Sequence, residues 1–479
     1  MAKEPYYYLN DSQIMNFLTP PPFRPETSGP EADARYRRLR TQVFIGAFIG
    51  YAAFYLVRKN FAMAIPMLEQ LGIDKSELGL ALGMNAVAYA LSKFLMGSIS
   101  DRSDARKFLP LGLILSAIAM ASMAIPVSWL DLLHHPERKA LAVGMMAVLN
   151  FLVGWFGGMG WPPCGRVMTH WFSQGERGTM MAIWNCAHNV GGGLIGPMAS
   201  YGAIWFGSWL YGTQTELYFL AGTFLFPAAT VIPIAILAYL LLRDTPQSEG
   251  LPAVEKWRND YPQHYDEGSE TVLSVRDIML RHVLPNKYLW AIALSNAFIY
   301  MVRYGCLDWA PALLSDQGVD IKSAGWAYFA YEYAAIPGTL ICGVISDRLF
   351  KGNRACPTML FMALVALFIG LYWYASSLET PNINLVTLSL TGIGFFIYGP
   401  VMLVGVQALD LVPKNAAGTA AGLTGFFGYF FGTAILANTV IGLISSHAGW
   451  TWTFISLLIA CLLSILLMIP TIGRASGKH

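Results

Sequence analysis

Charged side chains are scarce in this sequence. Asp, Glu, Lys and Arg make up 13% of its 479 residues against 55% that are hydrophobic, about half the charged share of a soluble domain, so a water-soluble globular fold is excluded. Cysteine is sparse as well. Five of the six (Cys164, Cys186, Cys306, Cys342 and Cys461) fall inside apolar runs with no paired spacing and no Cys/His cluster, which excludes a disulfide framework and a zinc site. The net charge of +2 leaves no basic face for nucleic acid, because Lys and Arg gather in short connecting stretches. Residues 1–42 are polar and proline-bearing, without the short apolar core and small-residue cleavage site of a secretory signal, so the first membrane span is expected to direct its own insertion. No nucleophile sits beside an acid/base pair and no cofactor motif is present, so an enzyme is not expected, nor a cofactor or metal.

Long apolar runs fill the rest. A span needs about 20 residues, and such runs lie near 43–66, 78–100, 108–128, 140–167, 178–206 and 217–242, then near 288–312, 325–345, 356–376, 384–410, 416–441 and 449–472. The fold expected is an all-α membrane protein of twelve transmembrane helices in two pseudo-symmetric six-helix halves, residues 43–242 and 288–479. They follow a polar segment, 1–42, and are joined by a polar linker, 243–287, in which Val275, Ile278, Met279 and Leu284 have the spacing of a short surface helix. Arg35, Arg37, Arg38 and Arg40 precede span 1, Arg102, Arg106 and Lys107 follow span 2, and Arg348, Lys351 and Arg354 follow span 8, whereas the connections after spans 5, 9 and 11 hold no Lys or Arg. That alternation places both termini and the linker in the cytoplasm; Arg138 and Lys139 after span 3 argue mildly against it.

The first span contains the stretch Tyr51-Ala-Ala-Phe-Tyr55-Leu-Val-Arg58-Lys59-Asn60. A cation at such depth costs about 2.5–3.5 kcal/mol on insertion scales, so it should face the bundle interior and mark function. On an unbroken helix Tyr51, Tyr55 and Arg58, at i, i+4 and i+7, share one face, a planar donor fork with two phenols suited to an anion. Lys59 points elsewhere and needs a carboxylate of its own. The stretch returns as Tyr300-Met-Val-Arg303: Arg303 lies 245 positions after Arg58, and Pro311 lies 245 after Pro66. Gly97-Ser-Ile-Ser-Asp101-Arg102 returns as Gly343-Val-Ile-Ser-Asp347-Arg348, at an offset of 246. Two matches at nearly one offset indicate two homologous halves, each with one intramembrane arginine. If these arginines were purely structural, each would pair with a buried carboxylate; Asp308 stands near Arg303, but nothing acidic lies level with Arg58 in spans 1 and 7.

Two six-helix halves with Gly-x-x-x-Asp-Arg after spans 2 and 8 resemble the major facilitator superfamily. Tyr51 to Asn60, Gly160-Trp-Pro-Pro-Cys-Gly-Arg166, Trp184-Asn185-Cys-Ala-His188-Asn-Val-Gly-Gly-Gly193 and Arg303-Tyr-Gly-Cys-Leu-Asp308-Trp309 resemble its organophosphate:phosphate antiporters, from about Tyr36 to Gly473. The resemblance implies a secondary transporter of a bacterial inner membrane that imports glycerol 3-phosphate in exchange for inorganic phosphate, with Arg58 and Arg303 binding the phosphate. It places His188 at that phosphate; Asn185, three residues earlier, can share its face, and the imidazole can change charge near neutral pH. Lys93 joins the substrate set, Tyr300, Tyr372 and Tyr398 match cavity-facing tyrosines, and Lys59, Lys93, Asp308 and Glu332 form ion pairs that rearrange as the carrier tips. Asp101, Arg102, Asp347 and Arg348 resemble latch residues at the cytoplasmic face. Relatives that carry hexose phosphates have an acid and a base where Ala421 and Thr424 stand, which favours glycerol 3-phosphate. A hexose-phosphate antiporter and a non-transporting organophosphate sensor remain alternatives. The expected unit is a monomer in the lipid bilayer. The glycine-bearing stretch Gly418 to Gly432 reads as close helix packing through small residues.

Overall fold

The computed structural model describes residues 17–473 except 101, 129, 131, 133, 208–215, 260–279, 281–282, 352, 379–381 and 413–416. Twelve membrane helices form two halves. The first half comprises α1 (Pro30–Leu56, resuming as Asn60–Gln70), α2 (Lys75–Ser100), α3 (Ala105–Ala121), α4 (Lys139–Gly157 and Trp161–Trp171), α5 (Gln174–Asn185 and Ala187–Gly202) and α6 (Glu216–Leu241). The second comprises α7 (Lys287–Asp308 and Ala310–Asp316), α8 (Ile321–Val344), α9 (Ala355–Ser376), α10 (Ile383–Asp410), α11 (Ala417–Phe426 continuing through Phe427–Val440 to Ile441–His447) and α12 (Gly449–Met468). Nine of the described stretches are long and apolar enough to cross a membrane by length and composition alone; α2, α5 and α7 complete the twelve.

Local chemistry sets the helix starts. Asp104 accepts from Arg106 N at 2.9 Å at the head of α3, Ser173 and Glu176 form a capping box on α5, Asn286 accepts from Tyr288 N and Leu289 N at 3.2 and 3.1 Å on α7, and Asp320 accepts from Lys322 N and Ser323 N at 3.0 Å on α8.

Residues 30–42 depart from the expected polar segment. They are the first turns of α1: Pro30 takes the first helical position, Glu31 and Asp33 lie in the first turn, and nothing before Gln42 breaks the helix. These turns are held by the front of the linker. The Trp257 ring stacks on Tyr36 at 4.2 Å, Trp257 Nε1 donates to Asp33 at 2.6 Å, and Thr27 Oγ1 donates to Gly250 O at 2.8 Å. Arg40 and Arg258 both pair with Glu176. Burial pushes the Glu176 carboxyl up, but these two guanidiniums outweigh it and hold the group below its usual range. The surface helix expected near 275–284 falls mostly outside the described residues.

The halves meet along two seams, α2 with α11 and α5 with α8, and the contacts lie toward the end that carries residues 66–79, 196–203, 311–325 and 434–447. Glycine makes them possible. A Cβ on Gly79 would stand 2.3 Å from Asn438 O, and one on Gly196 would stand 2.3 Å from Gly325 O. Lys75 also crosses between halves at this end, 3.1 Å from Asp316. The opposite end, which holds Tyr36 and the start of the linker, is parted: Lys93, Trp161, Ile183 and Asn185 are exposed there. Replacing Gly196 by Leu should force the α5–α8 seam open, since overpacking costs about 1–3 kcal/mol, enough to shift a two-state balance roughly 5- to 150-fold. Maleimide labelling of Ser200→Cys, a position buried in the seam, should rise by that factor in the double variant; an unchanged rate would mean that the seam does not govern closure.

Candidate functional site

Arg58 and Lys59 stand at an interruption of α1 instead of on a continuous helix. The backbone leaves helical geometry at Val57 (φ −116°, ψ 13°) and Lys59 (φ −113°, ψ 5°), and Arg58 N–H bonds Tyr55 O at 3.4 Å. The interruption sends the two cations apart. Arg58 turns to α2, where its Nε donates to Asn85 Oδ1 at 3.4 Å and its guanidinium lies 3.7 Å over the Tyr89 ring; the rings of Tyr55 and of Tyr429 on α11 are each 5.5 Å away. Lys59 turns to α7 and pairs with Asp308 Oδ1 and Oδ2 at 2.9 and 2.7 Å, across the two halves. This is the separate carboxylate that its direction required.

Arg303 repeats the arrangement on α7. Its guanidinium lies 4.1 Å over Tyr398, 4.7 Å over Tyr304 and 5.6 Å over Tyr300, and Tyr331 OH donates to its carbonyl at 2.9 Å. Both arginines are about 95% buried, yet among the described residues neither has a carboxylate within 4.0 Å. A buried guanidinium stacked on aromatic rings is stabilised by cation–π attraction while its edge donors stay available. Tyr429, 5.5 Å from Arg58, packs 5.1 Å from Tyr300 and 6.5 Å from Tyr304, two of the rings beneath Arg303, so the two arginines belong to one cluster.

His188 follows a break in α5 at Cys186. Its ring packs 5.8 Å from Tyr398 and 5.7 Å from Tyr55, and its Nδ1 contacts the carbonyl of Asn185. The Asn185 side chain itself is exposed at the parted end, so this residue meets His188 through its backbone. Tyr51 packs on Trp184 at 4.6 Å and on Tyr55 at 5.6 Å, at the edge of the cluster. Gly191 lets α5 cross α1, since a Cβ there would stand 1.9 Å from Ala52 O.

Several expectations need correction. Tyr372 is not with the arginines: it is buried inside the second half, edge-on to Phe454 at 5.2 Å, because α9 packs on α12 there. Lys59 and Asp308 form an ion pair, but Lys93 and Glu332 do not. Lys93 is exposed near the Trp161 ring at 5.8 Å, while Glu332 accepts from Tyr398 OH at 2.5 Å and from Asn189 Nδ2 at 3.0 Å, a hydrogen bond between α8 and α5. Asp347 pairs with Arg354, which also approaches Asp410 at 3.6 Å, and Arg102 and Arg348 are exposed. Asp101 and the Ala421 side chain lie outside the described residues. Thr424 is buried beside α7, where Asn296 Nδ2 donates to its carbonyl at 2.7 Å. Gly432 lies against α7 too, a Cβ there meeting Ala297 O at 2.4 Å.

Asn85, Tyr89, Tyr304, Tyr429 and Asn189 complete the cluster without having been singled out. Asn85, Tyr89 and Lys93 are spaced i, i+4, i+8 on a helix whose middle is otherwise apolar but for Ser92, a polar stripe that marks one face of α2. Within the spans the buried charges among the described residues are Arg58, Lys59 and Arg303 against Asp308 and Glu332, so with all five ionised the site holds one excess positive charge, before Lys93 at its mouth is counted. Asp308→Asn should leave Lys59 buried without its counter-charge and cost about 3 kcal/mol of stability. Thermal unfolding in detergent checks this; Lys59→Met with Asp308→Leu should restore most of the loss, and a single variant as stable as the parent would show that the pair is not closed in the resting protein.

The sequence profile of the Major Facilitator Superfamily matches residues 47–437. The chain is 48% identical over 459 residues to the glycerol-3-phosphate transporter of Bacillus subtilis (strain 168), covering 96% of this chain and 98% of that protein. It is 44% identical over 479 residues to the glycerol-3-phosphate transporter of Haemophilus influenzae, covering 96% and 97%. Among solved structures, a bacterial homologue of the human lysosomal transporter Spinster, inward-facing and unoccupied, superimposes with a TM-score of 0.67 over 93% of this chain and 96% of that one; at 15% identity this likeness concerns the fold alone.

Proposed function

The chain belongs to the major facilitator superfamily, a family of membrane transporters and not of enzymes, and we propose that it imports glycerol 3-phosphate in exchange for inorganic phosphate by alternating access. The observation that carries the proposal is the pair of buried guanidiniums, one per half, lying over tyrosine rings with no carboxylate within 4.0 Å among the described residues. A phosphate monoester brings about −1.5 to −2 charges and three acceptor oxygens, which suits two arginine forks and opposes the excess positive charge of the site, one within the cluster and a second with Lys93 at its mouth. The names of the 48% and 44% identical relatives support glycerol 3-phosphate as the cargo. In this reading Arg58 and Arg303 hold the phosphate from opposite halves, His188 adds a ligand beside them, and Tyr55, Tyr300 and Tyr398 line the site. Asp101, Arg102, Asp347 and Arg348 serve the latch at the cytoplasmic face. The membrane is the bacterial inner membrane with both termini in the cytoplasm, so the parted end of the structure opens inward, and the monomer is the working unit.

Proteoliposomes loaded with phosphate and given labelled glycerol 3-phosphate test the reading. Glycerol 3-phosphate and phosphate should compete for one site, with glucose 6-phosphate much weaker. Equal or better competition by glucose 6-phosphate would move the cargo to hexose phosphates, and binding without uptake would make the protein a sensor.

A further inference from the structure

Where α1, α3 and α6 meet at the parted end, four arginines gather, and two of them, Arg35 and Arg243, share the Glu249 carboxylate. Arg106 Nε donates to Tyr239 O at 3.0 Å and its guanidinium lies 4.6 Å over the Tyr239 ring. Arg243 Nη1 donates to Leu240 O and Leu242 O at 2.8 and 2.6 Å, and its Nε lies 3.1 Å from Glu249. Arg35 takes the other oxygen of Glu249 at 3.0 Å. Arg38 lies between Arg35 and Gln42 at i+3 and i−4, hence on the same face of α1, and Gln42 Nε2 donates to Leu241 O at 3.0 Å. That face therefore abuts the last turn of α6.

Other nearby charges are engaged elsewhere. Asp244 is held by Arg166 at 3.0 and 2.9 Å and by Ala105 N at 3.0 Å, and Lys107 donates to Phe17 O at 2.9 Å and lies 3.9 Å from Asp104. Four guanidiniums against Glu249 and against Glu31, which stands at i−4 from Arg35 on the same face of α1, leave an excess of two positive charges. The last-turn carbonyls of α6 absorb only part of it, since a helix end is worth about half a charge. The Nη groups of Arg106 and the whole Arg38 head group have no protein partner among the described residues, and Arg38 is exposed.

The surface next to this cluster is apolar and uncovered. The spans Ala105–Pro126 and Leu220–Leu241 end level with Arg106 and Arg243. One or two turns inside, Ile236, Leu237 and Leu240 on α6 and Ile45 on α1 are 54%, 45%, 54% and 46% exposed. A cationic cluster capping an aliphatic face has the charge and shape of a phospholipid in reverse.

We propose that this junction binds one anionic phospholipid, its phosphate among Arg38, Arg106 and Arg243 and its acyl chains along Ile45, Leu237 and Leu240. A net negative headgroup satisfies the excess charge, whereas a zwitterionic one brings its own cation. Free phosphate lacks the chains that would cover the aliphatic face.

The test is titration of delipidated protein in non-ionic detergent with phosphatidylglycerol or phosphatidylcholine, followed by thermal unfolding and by native mass spectrometry of retained lipid. Phosphatidylglycerol should stay bound and raise the unfolding temperature, and phosphatidylcholine should do neither. Arg106→Gln should weaken phosphatidylglycerol roughly fivefold, the worth of one surface guanidinium, and Arg106→Glu should abolish its advantage. Arg38→Gln, at an exposed position, gives the same comparison if the Arg106 variants fold poorly. Stabilisation by inorganic phosphate should be the same in Arg106→Glu as in the parent. Equal retention of both lipids, or an unaltered preference in Arg106→Glu and Arg38→Gln, overturns the assignment. Loss of the phosphate effect in Arg106→Glu also overturns it, because the cluster would then bind the free ion.

Discussion

Lysine in place of Arg303 or Arg58 should weaken phosphate binding on the order of 10³-fold, about 4 kcal/mol, while the protein still inserts and folds. The charge is kept in either variant, so any loss reports geometry. Arg303 lies 4.1 Å over Tyr398 and 4.7 Å over Tyr304, and Arg58 lies 3.7 Å over Tyr89. Stacking spends the face of a guanidinium and leaves its in-plane donors free to fork onto two oxygens. An ammonium cannot do both: it is compact and strongly hydrated, and its three donors are not coplanar. Lysine also cannot supply the second N–H that holds Arg58 to Asn85. Isothermal titration with phosphate, or the ligand-induced shift in unfolding temperature, measures the effect. Binding within tenfold of the parent in both variants would mean that the arginines are structural.

Much of the fold was legible because lipid demands so little variety. A run of about 20 apolar residues must be a helix in a bilayer, and the recurrence of Arg58 as Arg303 and of Asp101-Arg102 as Asp347-Arg348 exposed the two halves. The break at Val57 to Lys59 was not legible. No proline or glycine stands there, and the chain bends because Arg58 is drawn to Asn85 and Tyr89 on α2 while Lys59 is drawn to Asp308 in the other half, a tertiary cause that local sequence does not record. The early start of α1 was hidden for a similar reason: Tyr36 is buried by Trp171 and by Trp257 of the linker, far away in sequence.

In the candidate site the charged members could be found from their cost alone, since an intramembrane arginine or carboxylate advertises itself. The tyrosines could not. Tyr372 and Tyr398 look alike in sequence, each in an apolar helix, yet one packs on Phe454 and the other on Arg303. Asn189 and Tyr429 carry no charge, and only the crossing of the halves brings them to Glu332 and Arg58. The stripe Asn85, Tyr89, Lys93 was readable, because three polar residues at helical spacing on a mostly apolar helix share one face, and that face turns to the bundle interior.

Obligatory exchange is the central claim of the proposed function, and it rests on the two buried guanidiniums. In the proposed mechanism the carrier tips with two guanidiniums that are already about 95% buried and, among the described residues, have no carboxylate in contact, and each buried arginine costs about 2.5–3.5 kcal/mol on insertion scales when water is shut out. On the exchange proposed above, bound phosphate would cancel that cost in the closed intermediate more than in the open states and so lower the barrier to reorientation. If even half the cost of one arginine enters the barrier, the loaded carrier turns over about tenfold faster than the empty one. The direct measurement is uptake of labelled glycerol 3-phosphate into proteoliposomes loaded with phosphate, with sulfate or with buffer alone, under no proton or sodium gradient. Phosphate-loaded vesicles should fill at least tenfold faster; equal rates in phosphate-free vesicles, or uptake only under a proton gradient, would contradict exchange and indicate a symporter on the same fold.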